Sequence, residues 1–109
     1  MEIFKAAAVS ILLGVMLQAA HADQRLLEQV CAMKESVARD VMTKRQDGLS
    51  LSAQLKAVDV PDYPKESAES KKVVMQAYEI QRWQTNVKKR AAIDDFANRV
   101  AADCLKSGR

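Results

Sequence analysis

Residues 23–48 read DQRLLEQVCAMKESVARDVMTKRQDG. Leu26, Val30, Met33, Val37 and Val41 recur at steps of four, three, four and four. That spacing lines one face of an α-helix. Leu27, Ala38 and Met42 widen the stripe, and Cys31 sits on its flank. Asp23 is placed to cap the helix N-terminus. Gly48 is placed to stop it, because glycine takes the left-handed cap without steric cost. The stripe therefore predicts a long amphipathic helix that turns this face to a core.

The rest of the chain reads the same way. Ala, Gln, Lys, Arg, Leu and Glu are abundant and are good helix formers. No segment alternates as a half-buried strand. A short second helix is expected over SLSAQLKAV, residues 50–58, with Leu51, Leu55 and Val58 on one face. Ser50 or Ser52 can cap it. Pro61 and Pro64 then break the pattern, since each holds its predecessor extended. Pro64 can open a third helix at its first position.

That third helix is expected to run from Pro64 to about Trp83. Its opening KESAESKK is polar and is read as facing water. Val73, Ala77 and Ile80 make its core face, with Val74 and Tyr78 beside them. Thr85 is a natural cap for a fourth helix, TNVKKRAAIDDFANRVAADCLK. There Ile93, Ala97, Val100 and Cys104 fall at helical spacing with Phe96 adjacent, and the residues after Leu105 read as a short polar fray. The expected fold is all-α, a small bundle of three longer helices and one short one.

The first 22 residues are a different kind of segment. Lys5 precedes an apolar run from Ala6 to Leu17, and Ala20 and Ala22 flank His21. This is the three-part pattern of a secretory signal. A retained anchor is the alternative, but a span needs about 20 apolar residues and this run stops at Gln18. Residue 23 is Asp, not the cysteine of a lipid-anchored protein. The expected organisation is thus 1–22 signal peptide and 23–109 a single helical domain, periplasmic or secreted, with no stable membrane anchor after cleavage. Glu2 and Lys5 cancel, so the formal net charge of +3 survives the cut. That value is ordinary for solubility and calls for neither nucleic acid nor an anionic membrane.

His21 is the only histidine and leaves with the signal. The remaining chain lacks the commonest zinc and copper ligand and the one side chain that titrates near neutrality unaided. A serine triad is excluded with it. Asp94 and Asp95 are adjacent, so on a helix they point about 100° apart and cannot face each other across a cleft. With Lys88, Lys89 and Arg90 they read as a solvated face with local ion pairs. The expectation is no catalytic residue, no metal, no cofactor and no enzyme.

Cys31 and Cys104 are the two cysteines. In an exported chain an even count permits one intramolecular bridge. Each lies on or beside an apolar face. A redox pair is the alternative, but such thiols are usually close in sequence. A metal site would need further ligands. The reading is a structural staple between the first and last helices, stabilising by about 4 kcal/mol in the chain-entropy account.

Tyr63, Tyr78, Arg82 and Trp83 are the candidate partner-binding residues, because Trp, Tyr and Arg are enriched in binding hot spots. The competing role is packing, with Trp83 folded over the junction of helices 3 and 4 and Tyr63 plugging the proline loop.

The set Cys31, Met42, Arg45, Gln46, Gly48, Ala77, Tyr78, Glu79, Ala92, Asp94 or Asp95, Phe96, Val100 and Cys104 covers most of the chain beyond residue 22. In its order and spacing it resembles small secreted two-cysteine helical proteins of proteobacteria and their phages. The resemblance implies export and the two-cysteine architecture, and it implies no activity. A looser similarity, of architecture alone, is to periplasmic acid-stress chaperones. The expected function is a non-enzymatic interaction protein with a protein partner, for instance a phage-encoded envelope effector. The alternative is a chaperone that protects clients when its carboxylates are neutralised by acid.

Overall fold

The computed structural model describes the backbone of residues 2–108 and the side chains of residues 21–108. Among them are four helices and no strand: α1 (Glu2–Gln46), α2 (Leu51–Ala57), α3 (Pro64–Tyr78) and α4 (Asn86–Ser107). The all-α bundle of three longer helices and one short one is therefore the fold. Helix α1 begins much earlier than the sequence pattern suggested. Nothing between Leu17 and Leu26 is a helix breaker, so Asp23 lies inside α1 and caps nothing. The signal-peptide reading of residues 1–22 rests on side chains that, up to residue 20, lie outside the described ones. Among the described residues no helix is long and apolar enough to cross a membrane.

Most boundaries have identifiable causes. Gly48 adopts φ +96°. The Leu49 N–H reaches the Lys44 carbonyl at 3.0 Å and the Gly48 N–H reaches the Arg45 carbonyl at 3.1 Å. These two bonds form the Schellman cap that closes α1. The Ser50 hydroxyl accepts from the Ala53 N–H and caps α2. Pro64 opens α3 directly after Tyr63, whose side chain makes no capping bond. The Thr85 hydroxyl accepts from the Lys88 N–H and caps α4. The end of α4 differs from the expected fray. It stays helical to Ser107, and left-handed Gly108 donates its N–H to the Cys104 carbonyl.

Helix α3 stops at Tyr78, five residues before the expected end. The physical reason lies on α1. Arg45 donates to the Ile80 carbonyl at 3.2 Å and Gln46 donates to the Gln81 carbonyl at 3.0 Å. Those carbonyls turn toward α1 instead of continuing the α3 ladder.

Helix α1 packs chiefly against α4 and then against α3, while α2 closes over α3. Pairings of Cys31 with Cys104 and of Arg39 with Asp94 make α1 and α4 antiparallel. The core is Ala38, Val41 and Met42 of α1, Val74 and Ala77 of α3, and Phe96 of α4, with Ala97 also buried. Burying Phe96 contributes about 2–3 kcal/mol. Leu51, Leu55, Val58, Val73, Tyr78, Ile80, Ile93 and Val100 pack around it.

The expected core face of α1 is corrected. Leu26 is 61% exposed and Met33 70% exposed, and Val30 and Val37 also face solvent. Of the five stripe residues only Val41 is buried. The buried positions are instead Cys31, Ala38, Val41 and Met42. Small side chains at 31 and 38 let α4 approach closely and let the cystine form, so α1 turns its flank inward.

Candidate interaction surfaces

The Cys31–Cys104 bridge is present, with Cα atoms 5.5 Å apart and 73 residues between the two cysteines. Both residues are buried. The bridge is thus inaccessible as a reagent and sits as a staple at one end of the α1/α4 pair.

Three buried polar side chains hold the loops, and the burial of none of them was expected from its sequence setting. Gln46 is fully enclosed. Its amide donates to the Gln81 carbonyl and accepts from the Trp83 N–H at 2.8 Å. One side chain therefore replaces the backbone partners that residues 81–83 lost when α3 ended. Gln54 donates to the Val41 carbonyl and to the Tyr78 hydroxyl, both at 3.0 Å. Ser67, expected in the water-facing start of α3, is buried. Its hydroxyl donates to the Val60 carbonyl and accepts from the Val60 N–H, which fastens the proline loop. Ser67, not Tyr63, is what plugs that loop. Every buried side-chain nitrogen and oxygen among the described residues has a partner.

The four candidate partner-binding residues occupy two places. Tyr63 stands alone on the proline loop and is 60% exposed. Tyr78, Arg82 and Trp83 gather where α1 ends. The Tyr78 hydroxyl donates to the Leu49 carbonyl, and the Arg45 guanidinium lies 4.8 Å from the Tyr78 ring centre. Arg82 donates through Nε to the Gln46 carbonyl at 2.9 Å while the residue stays exposed. Trp83 is half-buried, and the Lys88 ammonium lies 4.9 Å from its ring centre. Tyr78 is therefore anchored internally. Arg82 and Trp83 combine an internal tie with an open face.

Asp94 and Asp95 do not act as a pair. Asp94 forms an ion pair with Arg39 across the α1/α4 interface, whereas Asp95 is exposed. The hydrogen bond from Arg39 to Asp94, with the attraction between their charges, raises the Arg39 pKa above its ordinary value against a smaller opposing effect of burial. Among the described residues no group of three or more acidic, His or Cys side chains could hold a metal ion.

The surface missed in the sequence is the one whose residues were assigned to the core. Val30, Met33 and Val37 on α1 and Val73 on α3 line an open groove of about 400 Å³. Lys34 and Glu69 meet at 2.9 Å in its wall, and Lys65, Glu66 and Ser70 complete the rim. With Leu26 further along α1, this is a continuous apolar strip rimmed by polar groups. Such strips on small proteins mark contact surfaces.

Comparison of the chain with protein-family models, with curated proteins and with solved structures returns no match.

Proposed function

We propose that this chain is an exported, non-enzymatic interaction protein that holds an apolar helix or strand of a protein partner in the groove between α1 and α3. The observation that carries the reading is the open strip of Leu26, Val30, Met33 and Val37. The fold leaves four large apolar side chains in water on its longest helix, and a partner would cover them. The cystine supports an oxidising compartment, periplasmic or extracellular. Action at the cell envelope is what the resemblance read from the sequence, to small secreted proteins of proteobacteria and phages, would imply. An acid-activated chaperone would need its core to loosen before an apolar surface appeared. Here the surface is open in the folded chain, so no acid trigger is required.

The test is capture from a periplasmic extract with three baits: the unaltered chain, Met33→Lys with Val37→Lys, and Arg82→Ala with Trp83→Ala. The expected result is one partner held by the first and third baits and released by the second. Equal capture by the groove variant would sink the assignment, as would the absence of any specific partner. Release by the third bait alone would move the site to the α3–α4 junction.

A further inference from the structure

The net charge of +3 conceals an uneven distribution. Residues 81–90 read QRWQTNVKKR, with Arg82, Lys88, Lys89 and Arg90 and no acidic side chain. The antiparallel pairing of α1 and α4 sets this segment beside the end of α1. There the Arg82 guanidinium lies over Gly48, within 2.9 Å of where a β-carbon would stand. Among the described residues no carboxylate forms an ion pair with any of the four cations. Three of them occupy the first turns of α4, where cations oppose the helix dipole. Their placement thus costs the fold a little, and none of the three is neutralised by a carboxylate; Lys88 rests on the Trp83 ring instead.

Apolar groups stand open among these charges. Val87 is 81% exposed, Leu49 is exposed beside Gly48, and Trp83 is half-buried beneath Lys88. Cations mixed with a tryptophan and protruding aliphatic side chains suit the headgroup layer of a bilayer. Phosphates meet the cations there, and the apolar tips enter the acyl boundary. A soluble polyanion with no apolar groups would leave Val87 uncovered.

We infer that this pole of the bundle, built from Arg82, Trp83, Val87, Lys88, Lys89 and Arg90 with Leu49, docks reversibly on the surface of an anionic phospholipid bilayer. The inference is independent of the groove: it uses none of the groove residues. One cation near such a surface contributes roughly fivefold in binding, so three contribute on the order of a hundredfold.

The experiment measures partitioning of the chain, as recovered from the expressing cell, onto two kinds of vesicle. One is phosphatidylcholine mixed with phosphatidylglycerol, the other phosphatidylcholine alone. Two variants accompany it. Lys88→Gln, Lys89→Gln and Arg90→Gln remove three cations at the pole. Lys56→Gln, Lys65→Gln and Lys72→Gln remove three elsewhere and reach the same net charge. Trp83 is the only tryptophan, so its emission reports the pole directly. The expected result is binding to the anionic vesicles alone, a blue shift of Trp83, loss in high salt, and a loss on the order of a hundredfold in the pole variant only. The apolar run 6–17 is common to all three chains and cancels in the comparison. The pole variant relieves the helix dipole but loses the contact of Lys88 with the Trp83 ring, so its melting temperature is measured beside its binding, and an unchanged value excludes misfolding as the cause of the loss. Equal binding to both vesicles, equal loss in both variants, or binding to soluble polyglutamate but to no vesicle would each overturn the inference.

Discussion

The two ends of the α1/α4 pair are fastened by different means. At one end Cys31 and Cys104 join the helices covalently. At the other, Gln46, Arg45 and Arg82 join α1 to residues 80–83 through hydrogen bonds alone. The covalent tie acts mainly on the unfolded chain, whose freedom it restricts. The hydrogen-bonded tie acts on the folded chain and is direction-specific, because a buried amide leaves unsatisfied groups behind when it is removed. The cystine end is insensitive to small changes in packing. The glutamine end defines where a loop, a tryptophan and the start of α4 sit.

The largest expected effect breaks the covalent end. Cys31→Ala with Cys104→Ala should lower stability by about 4 kcal/mol, read by chemical denaturation. The folded far-ultraviolet spectrum should be retained in buffer, held by the core around Met42, Val74 and Phe96. Intact mass should rise by two hydrogen atoms on reduction, as the Cys31–Cys104 bridge takes up two electrons and two protons to give two thiols. Next, Gln46→Ala breaks the other end. It strands the Trp83 N–H and the Gln81 carbonyl and opens a cavity, so a loss on the order of 3 kcal/mol is expected. Trp83 emission should change in the folded state of this variant and not in the cysteine variant. If both variants shift Trp83 alike, the two ends are not separable.

Gly48→Ala tests the same end from the backbone. A left-handed alanine at φ +96°, with its methyl against Arg82, should cost about 1–2 kcal/mol. Thr85→Ala removes only the α4 cap and should cost about 1 kcal/mol. The smallest effect lies between the two ends, at the half-exposed Arg39–Asp94 pair. Asp94→Asn should shift the denaturation midpoint slightly, and the shift should vanish in high salt. Because the Arg39 pKa is raised in the folded state, its contribution is complete below the ordinary arginine value. It is lost only as pH climbs through the raised value, so a titration across neutrality should leave this pair unchanged.

The glutamine end also shows where the sequence was readable and where it was not. Caps have local signatures, and Gly48, Ser50, Pro64 and Thr85 all sit at the boundaries their chemistry suggests. The cystine followed from two cysteines on apolar flanks. The phase of α1 was not readable, because two apolar stripes run side by side along it. Leu26, Val30, Met33 and Val37 form one, and Cys31, Ala38, Val41 and Met42 form the other. Periodicity identifies a helix but does not choose between adjacent faces, and close approach by α4 made the choice. The burial of Gln46, Gln54 and Ser67 was invisible for a related reason. A polar side chain is buried because of a backbone group far along the chain, and nothing near it in sequence announces that group. The end of α3 was missed with them, since the partners that terminate it belong to α1. The open apolar groove was hidden by the same ambiguity, its residues having been assigned to the core. The aromatic and arginine residues near the α3–α4 junction, and the basic run Lys88, Lys89 and Arg90, were legible by type, but their gathering beside the end of α1 was not.

Helix α1 passes unbroken from the groove to the pole. At about 1.5 Å of rise per residue, Met33 and Gln46 stand about 20 Å apart on one stiff rod. A ligand in the proposed groove site and a surface at the proposed pole would therefore be held at a set height from one another. The helix would act as a spacer whose length between those residues changes by about 5 Å when a turn is added or deleted.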